Sequence, residues 1–372
     1  MSRRLYALLA LPLVFSAACS LVPGADEPEQ LPSAKGPQFD ADYYALNAKE
    51  YMNGGQYGRA KAQWETYLTF VPGDWMARLG IAYADVFIAE EAVAASGDIK
   101  LARKLLAEAK TTFAELKTGP LEEDTQTETK TPMWKALLGT AMTARYAGYL
   151  DQIEARREAA ASLKADRDAA ERRAEAERFQ RERDRDYAEA VAAYEQLAAM
   201  KNASPEAVLA LGQLYLVTHQ DAKAERELNR YLDFARSTRK TLETGKQTSR
   251  EDEQVDRAAM VATIYDQKLE GNAAKQAGVL DDLAGLAFAR GDYRGSKRKL
   301  EEAISVKPDR ADLYFKLAQT ENELQMYESA IGRLDEFLKR ASQRREDFDE
   351  RIYSAMKLKQ DLERKLGAAG RK

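Results

Sequence analysis

The sequence predicts an all-α fold, a solenoid of helical hairpins stacked in series, and three observations carry that expectation. Ala, Glu, Leu, Arg and Lys dominate while Pro is confined largely to linkers, a composition that favours helices. Apolar residues recur at helical spacing, as in Trp134, Leu137, Leu138 and Met142 at i, i+3, i+4 and i+8. With Ala277 and Ala311 as starts, two stretches repeat one another at an offset of 34 residues. Leu280 then matches Tyr314, Leu283 matches Leu317, Tyr293 matches Tyr327 and Leu300 matches Leu334. Repeat arrays grow by stacking and need no central core, so a chain of 372 residues fits one.

Small residues fall at the eighth and twentieth positions of these repeats, Ala284 with Ala318 and Ser296 with Ala330. They stand where two helices cross, and a larger side chain would push the helices apart. Gly291-Asp292-Tyr293 supplies the turn inside one repeat, and Lys307-Pro308-Asp309 ends it and opens the next. This period and pattern resemble the tetratricopeptide repeat (TPR). The resemblance implies two-helix repeats whose first helices line a protein-binding groove.

Residues 1–18 read as a lipoprotein signal peptide: Arg3-Arg4 is a basic start, Leu5–Phe15 an apolar run, and Ser16-Ala17-Ala18 a small-residue cleavage site before Cys19. The arrangement is similar to the lipobox of bacterial lipoproteins, which implies acylation of Cys19. Several acyl chains, at about 0.8 kcal/mol per buried CH₂, would anchor the protein stably. In that family Ser20, rather than an aspartate, implies the outer membrane. Residues 19–39, with Pro23, Pro28, Pro32 and Pro37, read as a disordered tether.

Residues 40–150 are expected to form N-terminal TPR-like repeats. Counted from Ala41, the residues Tyr44, Ala48, Tyr51, Tyr57, Ala60, Trp64, Tyr67 and Pro72 fall on the pattern, with Gly54-Gly55-Gln56 as the turn. Trp75–Ala95 opens a second repeat, whose second helix spans Leu101–Leu116. Gly119–Pro132 is a polar loop, and Met133–Leu150 is helical. From Asp151 to Ala190, 22 of 40 residues are charged and neither Gly nor Pro occurs. Residues 151–186 are therefore expected to be one long charged helix, supported by pairs such as Asp168/Arg172 and Glu175/Arg178. Its functions divide between an over-long solvated repeat helix and a projecting arm, and on either reading the repeats can do without it.

Residues 187–238 read as central TPR-like repeats. Tyr187, Ala190, Tyr194 and Leu197 fit the second helix of a repeat starting at Glu171, and another repeat starts at Pro205. Residues 239–276 read as a polar insertion and a helix broken at Glu270-Gly271-Asn272. Residues 277–344 form the C-terminal TPR pair, and residues 345–372 a polar-faced capping helix and tail.

Charge gives no reason to expect nucleic acid, with 57 basic against 61 acidic residues and a net charge of −4. The chain has one histidine, His219, in an expected turn, and one cysteine, so a nitrogen or thiolate metal site and the His-based catalytic arrangements lack their residues. No phosphate-cradling Gly-rich loop and no Gly-x-Ser-x-Gly occur. The expectation is no enzyme, no cofactor, no metal and no small-molecule substrate.

The expected partner-binding residues lie on the first helices of the C-terminal pair: Phe288 and Phe315 as aromatic anchors, with Asp281, Asp312, Gln319 and Asn322 to orient a segment carrying basic residues. The asparagine and lysine set by which some TPR domains clamp a terminal carboxylate is not matched there, because the relevant positions hold Phe315, Gln319 and Asn322. An acidic peptide terminus is therefore not the expected ligand. The layout is similar to TPR lipoproteins of pilus, outer-membrane protein assembly and gliding machines. It implies a lipid-anchored periplasmic scaffold that binds envelope proteins, or alternatively an adaptor for envelope proteases or peptidoglycan enzymes.

Overall fold

A computed structural model describes residues 40–118, 132–163, 168–200, 203–250, 255–342 and 345–369. The signal segment, Cys19, the tether and most of the 119–132 loop lie outside the described residues. Within them the chain forms thirteen α-helices and no strand, so the predicted all-α class of TPR-like hairpins is the observed one. One compact unit ends at Ala224 and a second begins at Glu225. The first contains α1 (Ala41–Asn53), α2 (Tyr57–Phe70), α3 (Trp75–Ser96), α4 (Ile99–Thr118), α5 (Pro132–Ser162), α6 (Ala169–Ala199) and α7 (Pro205–Val217). α8 (Asp221–Arg250) follows, and then α9 (Val255–Ala289), α10 (Tyr293–Val306), α11 (Ala311–Glu323), α12 (Tyr327–Ala341) and α13 (Arg345–Ala369).

The repeat phase read from sequence is written into the turns. Gly55, His219, Gly291 and Gln325 each stand fifteenth in a repeat counted from Ala41, Pro205, Ala277 and Ala311. All four have left-handed backbone, with φ of 72°, 57°, 82° and 60°. In each case the next N–H reaches back five residues: Gln56 to Tyr51, Gln220 to Tyr215, Asp292 to Ala287 and Met326 to Glu321, at 2.8–2.9 Å. These bonds satisfy helix-end carbonyls and reverse the chain. His219 and Gln325 hold this conformation at about 1–2 kcal/mol for a residue with a Cβ. The lone histidine is therefore a turn residue.

Close crossings in the first unit set a glycine beneath an aromatic ring. Gly80 of α3 lies under the Trp64 indole of α2, and Gly139 of α5 under the Phe113 ring of α4. Gly148 of α5 lies under the Tyr187 ring of α6, where an added Cβ would sit 2.6 Å from ring carbons. Around these contacts α3, α4 and α5 close a core that includes Leu79, Val86, Leu105, Leu106, Phe113 and Leu150.

The 151–186 stretch is not a single helix. α5 ends at Ser162 and α6 begins at Ala169, so the charged sequence is the far end of an antiparallel hairpin whose arms each span 31 residues. Arg172 pairs with Glu158 at 3.1 Å, and the Tyr187 hydroxyl donates to Gln152 at 3.3 Å. The residues between the arms are small or short: Ala155, Ser162, Ala176 and Asp186 are all buried. Ala-rich faces let helices approach closely, which is how a chain segment without a large-residue seam still packs. Arg103 of α4 clamps the hairpin from outside, donating to the buried Asp151 at 2.5 Å and to Glu154. Residues 171–186 therefore belong to the same helix as Tyr187–Leu197, and α5 is the first helix of that hairpin.

Two further expectations change in the second unit. α8 stays helical to Arg250 through the expected polar insertion, because Gly245 seats the Tyr265 ring of α9 and Lys246 pairs with Asp266. α9 runs unbroken through Gly271. One helical glycine costs about 1 kcal/mol against alanine, too little to break a helix whose Glu270 is held by Lys307, just past the end of α10. α13 caps α12 by burying Ala355 and Leu362 beside Leu334 and Phe337. Its outer face is less polar than expected, since Tyr353 and Met356 are 72% and 52% exposed.

Two outcomes follow for stability. Deleting residues 151–168 removes the end of α5 and the Arg103 clamp, so thermal melting should show loss of cooperative unfolding in the first unit; a melt unchanged from the parent would contradict the hairpin. In the second unit Leu300 and Leu334 are 2% and 0% exposed, and Leu300→Ala or Leu334→Ala should cost about 2–5 kcal/mol by denaturant titration.

Candidate functional site

The structure places the six expected partner-binding residues in the second unit and gives most of them internal tasks. Asp281 of α9 accepts from Lys316 at 2.7 Å and from Arg310 at 3.2 Å. Arg310 also holds Asp312 at 2.5 Å. Burial alone would raise the Asp312 carboxyl, but the hydrogen bond and charge of Arg310 hold it below the usual carboxylate range. Both carboxylates expected to orient a basic partner are thus paired within the second unit. Phe315 packs into the end core with its ring 5.3 Å from that of the fully buried Phe337. Phe288 is half-buried and meets Tyr293 edge-on at 5.1 Å across the α9–α10 turn. Asn322 accepts from Lys365 of α13 at 3.1 Å, and Gln319 is half-buried without a hydrogen bond among the described residues.

A recess stands open in the first unit. A cleft of about 290 Å³ is lined by Lys49, Met52 and Asn53 of α1, Trp64 of α2, Met76, Leu79, Gly80 and Tyr83 of α3, and Lys135 of α5. Its position follows from the repeat pattern: α1, α3 and α5 are the first helices of three consecutive hairpins. Lys49 and Asn53 are four residues apart and so share a face of α1. Gly80 lets the Trp64 indole settle low against α3, and the recess opens above. The Tyr83 hydroxyl donates to the Lys135 carbonyl at 2.6 Å, which fixes the first turn of α5 beside α3. Burial pushes the Tyr83 hydroxyl far above its ordinary pKa, so it stays a neutral donor.

The lining is apolar at its floor and cationic at its rim. Trp64 is 5% exposed and its indole N–H has no acceptor among the described residues. The Lys135 ammonium sits 5.7 Å from the Trp75 ring centroid, a cation–π approach, and neither Lys135 nor Lys49 meets a carboxylate among the described residues. The nearby buried acid, Asp85, is already taken by Lys61 at 2.7 Å. Burial raises the Asp85 carboxyl more than Lys61 lowers it. Sequence reading looked for a basic ligand set only in the C-terminal pair. The signal it passed over was Lys49 and Asn53 on one face of the cleanest single repeat.

No group of three or more His, Cys, Asp or Glu side chains placed to hold a metal occurs among the described residues. No helix among them is long and apolar enough to cross a membrane.

No curated protein matches the chain in sequence. Similar solved structures include the TPR2AB domain of yeast Sti1 in its pHSP90 complex, at 11% identity over 87% of this chain and 98% of that one, with a TM-score of 0.23. Others are the P58(IPK) TPR domain, at 13% identity over 90% of this chain and 100% of that one with a TM-score of 0.22, and yeast Tom70, at 12% identity over 88% and 89% with a TM-score of 0.22. Residues 183–242, covering the end of α6, α7 and most of α8, match the family model of the tetratricopeptide repeat. The chain thus carries a tetratricopeptide repeat at its centre, and the same turn geometry recurs on either side of it.

Proposed function

We propose that this protein is a lipid-anchored scaffold at the outer membrane, facing the periplasm, that binds envelope proteins during assembly of a secretin, pilus, motility or outer-membrane protein machine. The observation that carries the binding role is the α1/α3/α5 cleft, an open recess across the first helices of consecutive hairpins with two lysines that meet no carboxylate among the described residues. The C-terminal surface contributes in a reduced form through Phe288 and Gln319, whose side chains are half-buried rather than enclosed. Support for the anchor comes from Cys19 directly after Ser16-Ala17-Ala18. The tether then holds the cleft within reach of both membrane-embedded and periplasmic partners.

Two measurements test this reading. Cys19→Ala should leave unprocessed precursor, abolish acyl labelling and release the protein from the membrane fraction; normal processing and retention would remove the anchor from the proposal. A photo-crosslinking side chain at Met76, on the wall of the cleft, should yield a discrete adduct with an envelope protein in living cells. The same group at the exposed Glu243 should not. Adducts with an envelope protease or a peptidoglycan enzyme would favour the adaptor reading, and no adduct at either place would contradict a scaffold.

A further inference from the structure

We propose that two copies of this chain pair through the outer face of α13, antiparallel and related by a two-fold axis near Tyr353, an inference that stands apart from the scaffold reading. Ala355 and Leu362 mark the buried face of α13, the one that packs on α12. On the opposite side Glu350, Tyr353 and Lys357 follow one another at i, i+3 and i+7, and all three are exposed. Met356 stands exposed beside Tyr353. The end helix of a stacked array needs a polar outer face to stay soluble. Here that face carries an aromatic ring and a thioether at its middle, residue types enriched at protein interfaces.

Charge selects the occupant. Lys359 pairs with Asp335, Arg364 with Asp361 and Arg340 with Glu336, so neighbouring charges find partners within the chain. Glu350 and Lys357 make no ion pair among the described residues. They stand seven positions apart, about 10 Å along the helix, too far to pair with each other. A stripe that reads acid, ring, base is complementary to itself when the second stripe runs the other way. Glu350 of each copy then meets Lys357 of the other, and the two Tyr353 rings meet between these pairs. A parallel copy would set like charge on like charge. A wholly basic or wholly acidic foreign segment would match only half of the stripe. The wider helix has the same order, with four acids and one base in residues 345–350, and four bases and two acids in residues 357–366. That order already suits the helix dipole, and an antiparallel copy uses it a second time. Two-fold pairing also closes on itself, so the contact stops at two chains.

The test is sedimentation velocity of the full chain in a mild detergent, over a concentration series that spans the micromolar range. One helix per copy is a contact at or below the lower end of specific interfaces, about 1,200 Å², so the expected dimer has a Kd on the order of micromolar. Tyr353→Ser with Met356→Ser should leave the chain monomeric and the melt unchanged, because both side chains are exposed. Glu350→Lys alone and Lys357→Glu alone should each weaken the pair by about tenfold, since each change counts twice across the axis. Both reversals in one chain restore a self-complementary stripe and should recover the dimer. Equal amounts of the Glu350→Lys chain and the Lys357→Glu chain should form a mixed dimer at concentrations where neither pairs with itself. A monomer throughout the series, a dimer indifferent to these reversals, or single losses that the double exchange and the mixture fail to rescue would overturn the inference. Crosslinking at Met76 is read separately, so a monomer here leaves the scaffold reading standing.

Discussion

The structure depends on how closely two helices can approach when one of them lacks a side chain at the crossing. In the first unit this happens at Gly80, Gly139 and Gly148, each beneath the ring of Trp64, Phe113 or Tyr187. Each pair does two things. The ring fills the volume that the glycine vacates, and its flat face fixes the angle at which the next helix leaves. A Cβ at any of these glycines would occupy space already taken by ring atoms, so the crossings tolerate no ordinary substitution without movement. The cleft is a by-product of the first of these contacts, since Trp64 sits deep against Gly80 and leaves the space above it empty.

The same reasoning explains how a hairpin as charged as α5–α6 folds at all. Surface ion pairs contribute little, of the order of a few tenths of a kcal/mol each. What holds the arms is the Gly148–Tyr187 contact at the base and the buried alanines along the seam, with Arg103 bridging Asp151 and Glu154 from the neighbouring helix. Burial pushes the Asp151 carboxyl up while Arg103 pulls it down, so Arg103 offsets part of the cost of burying that carboxylate.

The fold was legible in the sequence where a repeat position has a single physical task. The fifteenth-position turn and the small crossing residues are of that kind, and they located α1, α2, α7 and α10–α12. Legibility failed where several weak preferences competed. Gly271 looked like a breaker and the stretch before Val255 like a polar insertion, but Gly271 lies inside a long helix held by its neighbour and Gly245 is a seat for Tyr265. The 151–186 stretch looked like one helix because neither Gly nor Pro stands between Ser162 and Ala169, and the helical arms on either side pack against each other. The candidate site was half legible. Phe315 and the two carboxylates had the right exposure pattern for binding, yet α13 and Arg310 enlist them for packing and charge balance. The cleft was missed because its parts come from three hairpins, with Lys135 far along the sequence from Lys49 and Asn53.

A double-mutant cycle on Gly148 and Tyr187 tests the crossing argument most directly. Gly148→Ala alone should destabilise by about 1–3 kcal/mol through overpacking against the ring, and Tyr187→Leu alone by a comparable amount through lost burial. If the glycine–ring contact sets the crossing, the pair together should cost at least about 1 kcal/mol less than the sum, because the smaller side chain makes room for the added methyl. Strict additivity of the two losses would mean that the crossing is held by other contacts, and the central role given to these glycines would be wrong.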